Sequence, residues 1–292
     1  MNPSPSIQRF VVIGNPIAHS KSPMIHQDFA RQTNMALQYQ RLLAPLDGFQ
    51  NTVAALKAAG VAGANVTVPF KLQALELAEH ASPAAQFAQA ANTLIFTPQG
   101  VRADNTYGGG LCRDLNRLLQ AQGLSLADCD LLMLGSGGAA SGCVSALHAA
   151  GLGQLTILNR TPAKAVELAA RAEALGLPCQ GGGFDMKPLT THRPRVVVNA
   201  TSASLQGGVP AIHPAWYQGA VLAYDMMYGQ ELTAFLADVH TRWPQLAISD
   251  GLGMLVFQAA AAFEGWTGHA PRPLDTLAKL RAALTAPSQG VR

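Results

Sequence analysis

Apolar runs and stretches of helical periodicity alternate along the first part of the chain. The short runs, rich in β-branched residues, predict strands at residues 9–14, 37–44, 63–68 and 91–97. The longer stretches between them predict helices at residues 22–34, 46–60 and 71–81. Ser22 is expected to cap the first of these helices, with Pro23 at its first helical position. The alternation indicates an α/β fold whose sheet carries helices on both faces.

A second series of the same kind begins near residue 108. The triplet Gly108, Gly109 and Gly110 predicts a bend or hinge, since glycine leaves the backbone unusually free. A helix is expected next at residues 111–123, and a strand, a glycine turn and a helix at residues 130–151. Three more strands are expected at residues 154–160, 194–202 and 220–228. The final segments predict helices alone, at residues 253–268 and 274–286.

The composition favours a globular protein, because 49% of the 292 residues are hydrophobic and 13% are charged. A chain of this length accommodates two domains, each with its own core. The formal net charge of +3, without a run of lysine or arginine, argues against a nucleic-acid partner. Neither a signal peptide nor an apolar run of the roughly 20 residues that a membrane helix needs is predicted. The four cysteines lack metal-binding spacing, and we expect buried, reduced thiols in a cytoplasmic protein without a metal site.

The clearest cofactor motif lies in the segment LLMLGSGGAASG. Gly135, Gly137 and Ala140 match the pattern G-x-G-x-x-G/A directly after a predicted strand and at the start of a predicted helix. Such glycines let the backbone approach a pyrophosphate, whose negative charge the helix N-terminus stabilises. A glycine-rich turn that serves only tight packing is the alternative. The strand-turn-helix context favours a dinucleotide site.

The next predicted strand ends where a dinucleotide site recognises the ribose. An NAD site places Asp or Glu there, whereas this chain has Asn159, Arg160 and Thr161, with Lys164 close behind. A guanidinium and an ammonium attract a 2′-phosphate, so NADP(H) is the predicted cofactor. An ordinary solvated start of a basic helix is the alternative.

Polar side chains follow three predicted strands of the first series. Ser20 and Ser22 lie on the loop after the first strand, where two hydroxyls could bind a carboxylate. The segment NVTVPFK adds three further polar residues, and the segment ANTL adds Asn92. Taken singly, serines cap helices, asparagines complete loops and lysines are solvated. Together they predict a polar lining at the strand ends where ligands of open α/β sheets bind, with Asn65, Thr67 and Lys71 as its central members.

These segments make the chain resemble the shikimate dehydrogenase family. The segments GNPIAHSKSP, GANVTVPFK, ANTL, GSGGAASG, NRT, NATS and DGLGMLVFQAA occur in this order, so the resemblance extends from about Val11 to the final helices. It implies reversible, NADP-linked reduction of 3-dehydroshikimate to shikimate in aromatic biosynthesis. It also implies a substrate-binding catalytic domain of residues 1–106, completed by the C-terminal helices of residues 252–292. A Rossmann dinucleotide-binding domain of residues 107–251 is expected between them.

The resemblance also implies roles for individual residues. The substrate carboxylate is assigned to Ser20, Ser22 and Tyr228. The residues expected to bind the ring hydroxyls, or to order the side chains next to them, are Asn65, Thr67, Asn92 and Gln258. Lys71 is the expected catalytic lysine, and Met226 and Gly251 are expected to border the nicotinamide. The cofactor phosphates are assigned to Gly135, Ser136, Gly137, Gly138, Ala139, Asn159, Arg160, Thr161 and Lys164. For Tyr228, Met226 and Gln258, simple filling of the core is the alternative.

Tyr107 departs from the family pattern. The family has Asn-Thr-Asp-Gly, with the aspartate paired to the lysine, whereas this chain has Asn-Thr-Tyr-Gly at residues 105–108. In one hypothesis, Lys71 still polarises the substrate oxygen, and the enzyme is slow or accepts a modified substrate. In a second, Tyr107 is the proton donor, because a nearby ammonium stabilises the phenolate. In a third, the ring blocks the site, and the protein binds ligand without turnover.

Two other functions stay open at this point. One is a quinate dehydrogenase, or a dehydrogenase of a related hydroxy acid, with the same fold. The other is a catalytically silent regulator that binds a metabolite or a dinucleotide. A small-molecule substrate is the expected partner, without nucleic acid or membrane, and the protein is expected to be a monomer or a homodimer.

Overall fold

The computed structural model describes residues 7–188, 194–203 and 207–286. The chain divides into two compact units. The first unit comprises Met1–Gly110 and Val256–Thr276, and the second comprises Leu111–Leu255 and Leu277–Arg292. The boundaries expected from the sequence, after residues 106 and 251, stay a prediction.

The first unit is built on a six-stranded sheet. Its strands are β1 (Gln8–Gly14), β2 (Leu37–Leu43), β3 (Gly63–Val66), β4 (His80–Ala81), β5 (Thr93–Thr97) and β6 (Gly100–Asp104). They lie in the order β2-β1-β3-β5-β6-β4. Strand β1 pairs in parallel with β2 and β3, whereas β5 runs antiparallel to β3 and β6. The register places Asn65 of β3 between Val12 of β1 and Thr93 of β5, so this polar residue lies inside the sheet.

The helices follow the predicted alternation. They are α1 (Ser22–Gln32), α2 (Phe49–Ala58), α3 (Lys71–Glu76), α4 (Pro83–Ala88), α5 (Tyr107–Gln120), α6 (Gly138–Ala149), α7 (Pro162–Ala174), α8 (Ala234–Arg242), α9 (Leu252–Thr267) and α10 (Pro273–Thr285). Within the described ranges, two short 3₁₀ helices are also present, at Leu126–Asp128 and Pro214–Tyr217. Across the described residues, no helix combines the length and the apolarity that a membrane crossing requires.

Aromatic side chains fill the core of the first unit. Phe49 of α2 stacks on Phe70, which directly precedes α3, with ring centroids 4.9 Å apart. In a second cluster of apolar side chains, Phe10 of β1 stacks on Trp266 of α9, with ring centroids 4.7 Å apart. Burying side chains of this size stabilises the unit by about 1.5–3 kcal/mol each. The part of α9 from Val256 onward, which carries Trp266, is therefore an integral part of the first unit.

Two local predictions for the first unit, at the start of α1 and at the end of α3, are wrong, and two short elements were not predicted. The structure places Lys21 rather than Ser22 at the N-cap of α1, while the backbone N–H of Ser22 donates to the hydroxyl of Ser20 over 3.3 Å. The helix expected over residues 71–81 ends at Glu76, because His80 and the following alanine pair in parallel with β6 as β4. Strand β6 and helix α4 were not predicted, since each is a short segment whose packing partners are distant in sequence.

The glycine triplet is helical rather than a hinge. Helix α5 begins at Tyr107, and the backbone N–H of Gly110 donates to the carbonyl oxygen of Thr106 over 3.0 Å. Each glycine costs a helix roughly 1 kcal/mol relative to alanine. Leu111, Leu115 and Leu119, four residues apart on one buried face, compensate for this cost. Burial of the later turns therefore extends the helix through the glycines.

The second unit is built on a six-stranded parallel sheet. Its strands are β7 (Asp130–Leu134), β8 (Gln154–Leu158), β9 (Cys179–Gly182), β10 (Arg195–Asn199), β11 (Ala220–Asp225) and β12 (Ala247–Asp250). They lie in the order β12-β11-β10-β7-β8-β9. Counted within the unit, this is the order 3-2-1-4-5-6 of a Rossmann fold. The predicted α/β class with a Rossmann unit is confirmed.

The interior of the second unit is mostly apolar. Strands β7 and β10 are buried along their whole length, as expected for the centre of a parallel sheet covered on both faces. The edge strands β9 and β12 were not predicted, because the segments CQGG and AISD carry little β-propensity of their own. All four cysteines are buried, as expected.

Candidate active site

Asn65 stands at the centre of a hydrogen-bond network in the first unit. Its Oδ1 accepts from the hydroxyl of Tyr39 at 2.7 Å and contacts Nε2 of His26 at 3.2 Å. Its Nδ2 donates to the carbonyl oxygen of Asn92 and to Oγ1 of Thr93, each at 3.2 Å. An amide offers two acceptor positions and two donor hydrogens, and all four are used inside the protein. Asn65 is therefore held rigidly in place.

His26 supports this network from helix α1. Its ring is fully buried and stacks on Tyr39 with centroids 4.3 Å apart. Burial lowers the pKa of His26 to about 3, and the hydrogen bond with Asn65 opposes this shift only in part. Contact with a carbonyl-type oxygen implies that Nε2 carries the hydrogen, while Nδ1 is buried without a partner among the described residues. Burial likewise raises the pKa of Tyr39 well above its ordinary value, against the effect of a hydrogen bond with Ser22.

Asn92 extends the network to helix α9. Its Oδ1 accepts from the backbone N–H of Thr106 at 2.9 Å. Its Nδ2 donates to Oγ1 of Thr106 at 3.0 Å and to Oε1 of Gln258 at 3.2 Å. The last bond joins residues 166 positions apart in the chain. Nε2 of Gln258 has no bond to any described residue, so this half-buried amide nitrogen can donate to a ligand.

The serine loop is held from two sides. The carbonyl oxygen of Ser20 accepts from Nε and Nη2 of Arg41, at 3.0 and 2.6 Å. Its hydroxyl oxygen accepts from the backbone N–H of Ser22, the first residue of α1. Thr67 follows β3, where its backbone N–H donates to the carbonyl oxygen of Ile13 at 2.9 Å. These bonds fix the loop backbone and place the three hydroxyl-bearing residues on partly exposed positions.

Lys71 and Tyr107 form a direct pair at two helix starts. Lys71 is the first residue of α3, Tyr107 is the first residue of α5, and Nζ of the lysine lies 2.5 Å from the phenolic oxygen. Both side chains are half-buried. The nearby carboxylate of Asp104 accepts instead from the hydroxyl of Ser82 at 2.5 Å and the backbone N–H of Asn105 at 2.7 Å. Within the described part of the chain, no carboxylate lies within 4.0 Å of the Lys71 ammonium.

The turn between β7 and α6 in the second unit fits a dinucleotide pyrophosphate. Gly135 has φ of +103°, a conformation that favours glycine, and an added Cβ would lie 3.1 Å from Cγ2 of Thr201. Gly137 is the N-cap of α6, and both it and Gly138 are exposed, with open space where a Cβ would stand. Oγ of Ser136 is buried without a hydrogen-bond partner in the described ranges. The turn thus offers backbone N–H groups, open space and an unused hydroxyl.

The end of β8 fits a 2′-phosphate. Nδ2 of Asn159 donates to the carbonyl oxygen of Thr161 at 3.1 Å, which orders this corner. Arg160, Thr161 and Lys164 are exposed around the start of α7. The corner from residue 159 to residue 164 contains no acidic residue that would repel a phosphate. Arg160 and Lys164 supply positive charge and hydrogen-bond donors, which are the features that a phosphate requires.

The residues expected near the nicotinamide lie at the ends of β11 and β12. The backbone N–H of Gly251 donates to the carbonyl oxygen of Met227 at 3.0 Å, and that of Met226 donates to the carbonyl oxygen of Asn199 at 2.9 Å. A Cβ on Gly251 would overlap the carbonyl oxygen of Met226, so only glycine permits this backbone approach. Burial, and then the Asp250 carboxylate, raise the pKa of Tyr228.

Comparison with curated proteins decides the family. Shikimate dehydrogenase (NADP(+)) of Cupriavidus pinatubonensis is 46% identical to this chain over 289 residues, which span 97% of this chain and 96% of the relative. The enzyme of the same name from Nitrosospira multiformis is 44% identical, over 95% of this chain and 98% of the relative. The chain belongs to the shikimate dehydrogenase family.

Family models and solved structures agree with this membership. The shikimate dehydrogenase substrate binding domain matches residues 12–94, Shikimate / quinate 5-dehydrogenase matches residues 117–204, and the shikimate 5'-dehydrogenase C-terminal domain matches residues 251–273. An Ael1 enzyme from Pseudomonas putida is 38% identical with a TM-score of 0.84, covering 96% of this chain and 99% of its own. Shikimate 5-dehydrogenase of Thermus thermophilus, solved with NADP(H) and shikimate, is 31% identical with a TM-score of 0.76, covering 95% and 100%.

The predicted family and fold class are therefore confirmed, and the structure brings several of the predicted site residues together. Asn65, Asn92 and Gln258 share one network, and Lys71 contacts Tyr107. Sequence reasoning missed the supporting residues His26, Tyr39, Arg41, Thr93 and Thr106. Thr93 and Thr106 stand directly beside predicted site residues in the segments ANTL and NTYG, which was a usable signal. For the others, the contacts that matter are made to residues distant in sequence.

Proposed function

We propose that this protein catalyses the NADP-dependent interconversion of shikimate and 3-dehydroshikimate. The observation that carries the proposal is the 46% identity, over nearly the whole of both chains, to an enzyme named shikimate dehydrogenase (NADP(+)). The preceding geometry supports it, since the first unit holds a rigid cluster of amides and hydroxyls with one ammonium. A polyhydroxylated ring acid requires donors and acceptors of this kind.

The network in the first unit supplies the recognition of the ring. Gln258 offers its Nε2 to a ring hydroxyl, while Asn65 and Asn92 order their neighbours, because their own amides are already engaged. Ser20 and Ser22 present hydroxyls for the carboxylate, and Tyr228 is assigned to the same group from the family pattern. Thr67 presents a further hydroxyl from a partly exposed position directly after β3. Groups that are already fixed by the protein lose little entropy when the substrate binds.

Lys71 supplies the electrostatic part of the catalysis. Its half-buried ammonium, without a carboxylate partner in the described structure, can donate to the oxygen that changes between carbonyl and hydroxyl. Negative charge develops on this oxygen in the transition state, so a positioned cation stabilises the transition state more than the ground state. Lys71 thereby lowers the barrier in both directions.

The second unit holds the cofactor. The predicted NADP dependence is confirmed by the relatives, which are named NADP(+) enzymes. The pyrophosphate fits the turn from Gly135 to Ala139, and the 2′-phosphate fits the corner from Asn159 to Lys164. Met226 and Gly251 form the close backbone pair assigned to the nicotinamide. When bound, the reduced cofactor supplies the hydride that reduces the carbonyl carbon.

The assay is turnover of shikimate with NADP⁺, followed by the absorbance of the reduced nicotinamide. We expect activity with NADP⁺ and much weaker activity with NAD⁺. Thermal stabilisation by shikimate and NADP⁺ without any absorbance change, even at high enzyme concentration, would contradict the proposed activity and indicate a metabolite-binding regulator. The assay is best run in both directions, because an equilibrium that lies far to one side leaves little net turnover to measure in the other direction.

Quinate is the second candidate substrate. The family model that matches residues 117–204 is described as Shikimate / quinate 5-dehydrogenase, so its description covers both acids. Parallel measurement of kcat/KM for shikimate and quinate ranks them, and we expect shikimate to be preferred. A cytoplasmic location and a monomeric or homodimeric state stay predictions, and gel filtration with light scattering measures the latter.

A further inference from the structure

The contact between Lys71 and Tyr107 leaves one hydrogen unused. A lysine ammonium carries three N–H donors and no acceptor, so across the 2.5 Å contact the lysine donates and the phenolic oxygen accepts. The hydrogen of the phenol is then available for a different acceptor. The Tyr107 hydroxyl has no second partner among residues 7–188, 194–203 and 207–286. The pair therefore presents a polarised O–H group that the protein does not itself use.

The backbone fixes the position of this group. The N–H of Tyr107 donates to Oδ1 of Asn105 at 3.1 Å, and the N–H of the preceding Thr106 donates to Oδ1 of Asn92 at 2.9 Å. Asn92 in turn bonds Gln258. On the lysine side, the backbone N–H of Ala91 donates to the carbonyl oxygen of Lys71 at 2.9 Å. Both members of the pair are thus anchored to the segment that contains Asn92.

We propose that Tyr107 is the proton donor when the substrate carbonyl is reduced, and the proton acceptor in the reverse direction; this inference rests on the proposed function. As the carbonyl carbon accepts the hydride that NADPH supplies, the O–H bond of Tyr107 breaks and an O–H bond forms on the substrate oxygen. The phenolate left behind is stabilised by the adjacent Lys71 ammonium. Lys71 then returns a proton to the phenolate and takes one from water, so the net reaction consumes one proton.

Other acids in the first unit serve this step less well. The Asp104 carboxylate is engaged with Ser82 and Asn105. His26 is fully buried and held against Asn65. Donation by Lys71 itself would leave a neutral amine beside a neutral phenol, whereas donation by Tyr107 leaves two opposite charges in direct contact. Opposite charges attract strongly at a partly buried position, so the second outcome is the more stable one.

Removal of the phenolic hydroxyl tests the proposal. In Tyr107→Phe we expect kcat for reduction of 3-dehydroshikimate to fall by about 100-fold or more, within the range of general acid catalysis. Binding of shikimate without cofactor, measured by calorimetry, should stay within about threefold of wild type, because the hydroxyl acts on the transition state. Tyr217→Phe is the matched control, since this tyrosine stacks on Trp243 in the second unit and should keep wild-type kcat.

The outcomes separate this inference from the proposed function. If the wild type turns over and Tyr107→Phe keeps kcat within about threefold, Tyr107 is not the donor, while the activity itself stands. A second variant, Tyr107→Asp, tests obstruction by the ring. A gain of about tenfold or more in kcat/KM would overturn the donor role, whereas a loss supports it. If no variant and no wild type turns over although shikimate binds, both the inference and the proposed function are wrong.

Discussion

The two units prepare their ligand sites by opposite means. In the first unit, Asn65 and Asn92 are side chains with every hydrogen-bonding position engaged, so the proposed recognition of the substrate rests on a rigid network of amides and hydroxyls. In the second unit, the turn at Gly137 is built of three glycines and one serine, and the basic residues Arg160 and Lys164 are exposed. The hydroxyls of a small ring acid require fixed directional groups, whereas a phosphate is recognised by backbone dipoles and surface charge. Substitutions in the first unit should therefore change catalysis and stability, and those in the second should change cofactor binding.

The largest effect is expected at Lys71. Lys71→Ala should lower kcat by about 10³-fold, since positioned acid–base and electrostatic groups contribute about 10²–10⁴. KM for shikimate should rise much less, because the ammonium acts chiefly on the transition state. Steady-state kinetics measure both. Lys57→Ala, an exposed lysine of α2, is the control. If neither parameter of Lys71→Ala moves, Lys71 has no catalytic role.

The second largest effect is expected at the N-cap of α6. In Gly137→Asp, a carboxylate would face the pyrophosphate, and two unit charges about 4 Å apart near a protein surface repel by about 4 kcal/mol. After solvent screening we expect NADP⁺ to bind roughly 100-fold more weakly, while the free energy of unfolding stays within about 0.5 kcal/mol, because aspartate is a good N-cap. Fluorescence titration and urea denaturation measure the two quantities.

Gly137→Asn is the matched control for this change, since it has nearly the same shape without the charge. Weakening of NADP⁺ binding to the same extent in both variants would show that repulsion is not the cause. Unchanged binding in both would exclude this turn from the cofactor site.

A smaller effect is expected at the 2′-phosphate corner. Arg160→Ala should raise KM for NADP⁺ by about 50-fold, since hydrogen bonds to charged groups contribute about 1.5–3 kcal/mol. KM for NAD⁺ should not change, because NAD⁺ lacks the 2′-phosphate. The loss should shrink at high salt, which screens exposed charges. Arg171→Ala, in the last turn of α7, is the control. An equal loss with both cofactors would contradict the assigned role.

The smallest effect concerns stability in acid. His26 has a pKa of about 3 in the folded protein and 6.5 as an ordinary histidine, so below pH 6.5 the unfolded chain binds a proton that the folded chain refuses. The contribution is complete above that pH and is lost as the pH falls from 6.5 toward 3. When the pH is lowered from about 7 to about 5, His26 should reduce the free energy of unfolding by about 2 kcal/mol.

Urea denaturation of wild type and His26→Gln at the two pH values measures this cost. Glutamine keeps an N–H near Asn65 but cannot titrate. The free energy of unfolding of the His26→Gln variant should therefore fall less on acidification than that of the wild type. His148→Gln, at an exposed position, should keep the wild-type dependence on pH. An unchanged pH dependence in His26→Gln would show that His26 is not kept neutral by the fold.

The sequence by itself determined the features that depend on local patterns. The strand, glycine turn and helix over residues 130–149 follow from apolar periodicity and from the backbone freedom of Gly135, so the Rossmann unit and its cofactor turn were predictable. The basic corner at Arg160 was also predictable, because the charges of its side chains are read directly from the sequence. The resemblance to the family then supplied the predicted substrate-side residues.

Only the tertiary structure decided the features that depend on residues far apart in the chain. Gln258 meets Asn92 across 166 positions, and the engagement of all four polar positions of Asn65 appears only when β2, β3 and α1 are assembled. The glycine triplet is helical because Leu111, Leu115 and Leu119 are buried. This burial outweighs the preference of each glycine against the helix, which is about 1 kcal/mol relative to alanine. Local propensities are weak compared with burial and long-range hydrogen bonds, so where the two conflict the assembled core determines the outcome.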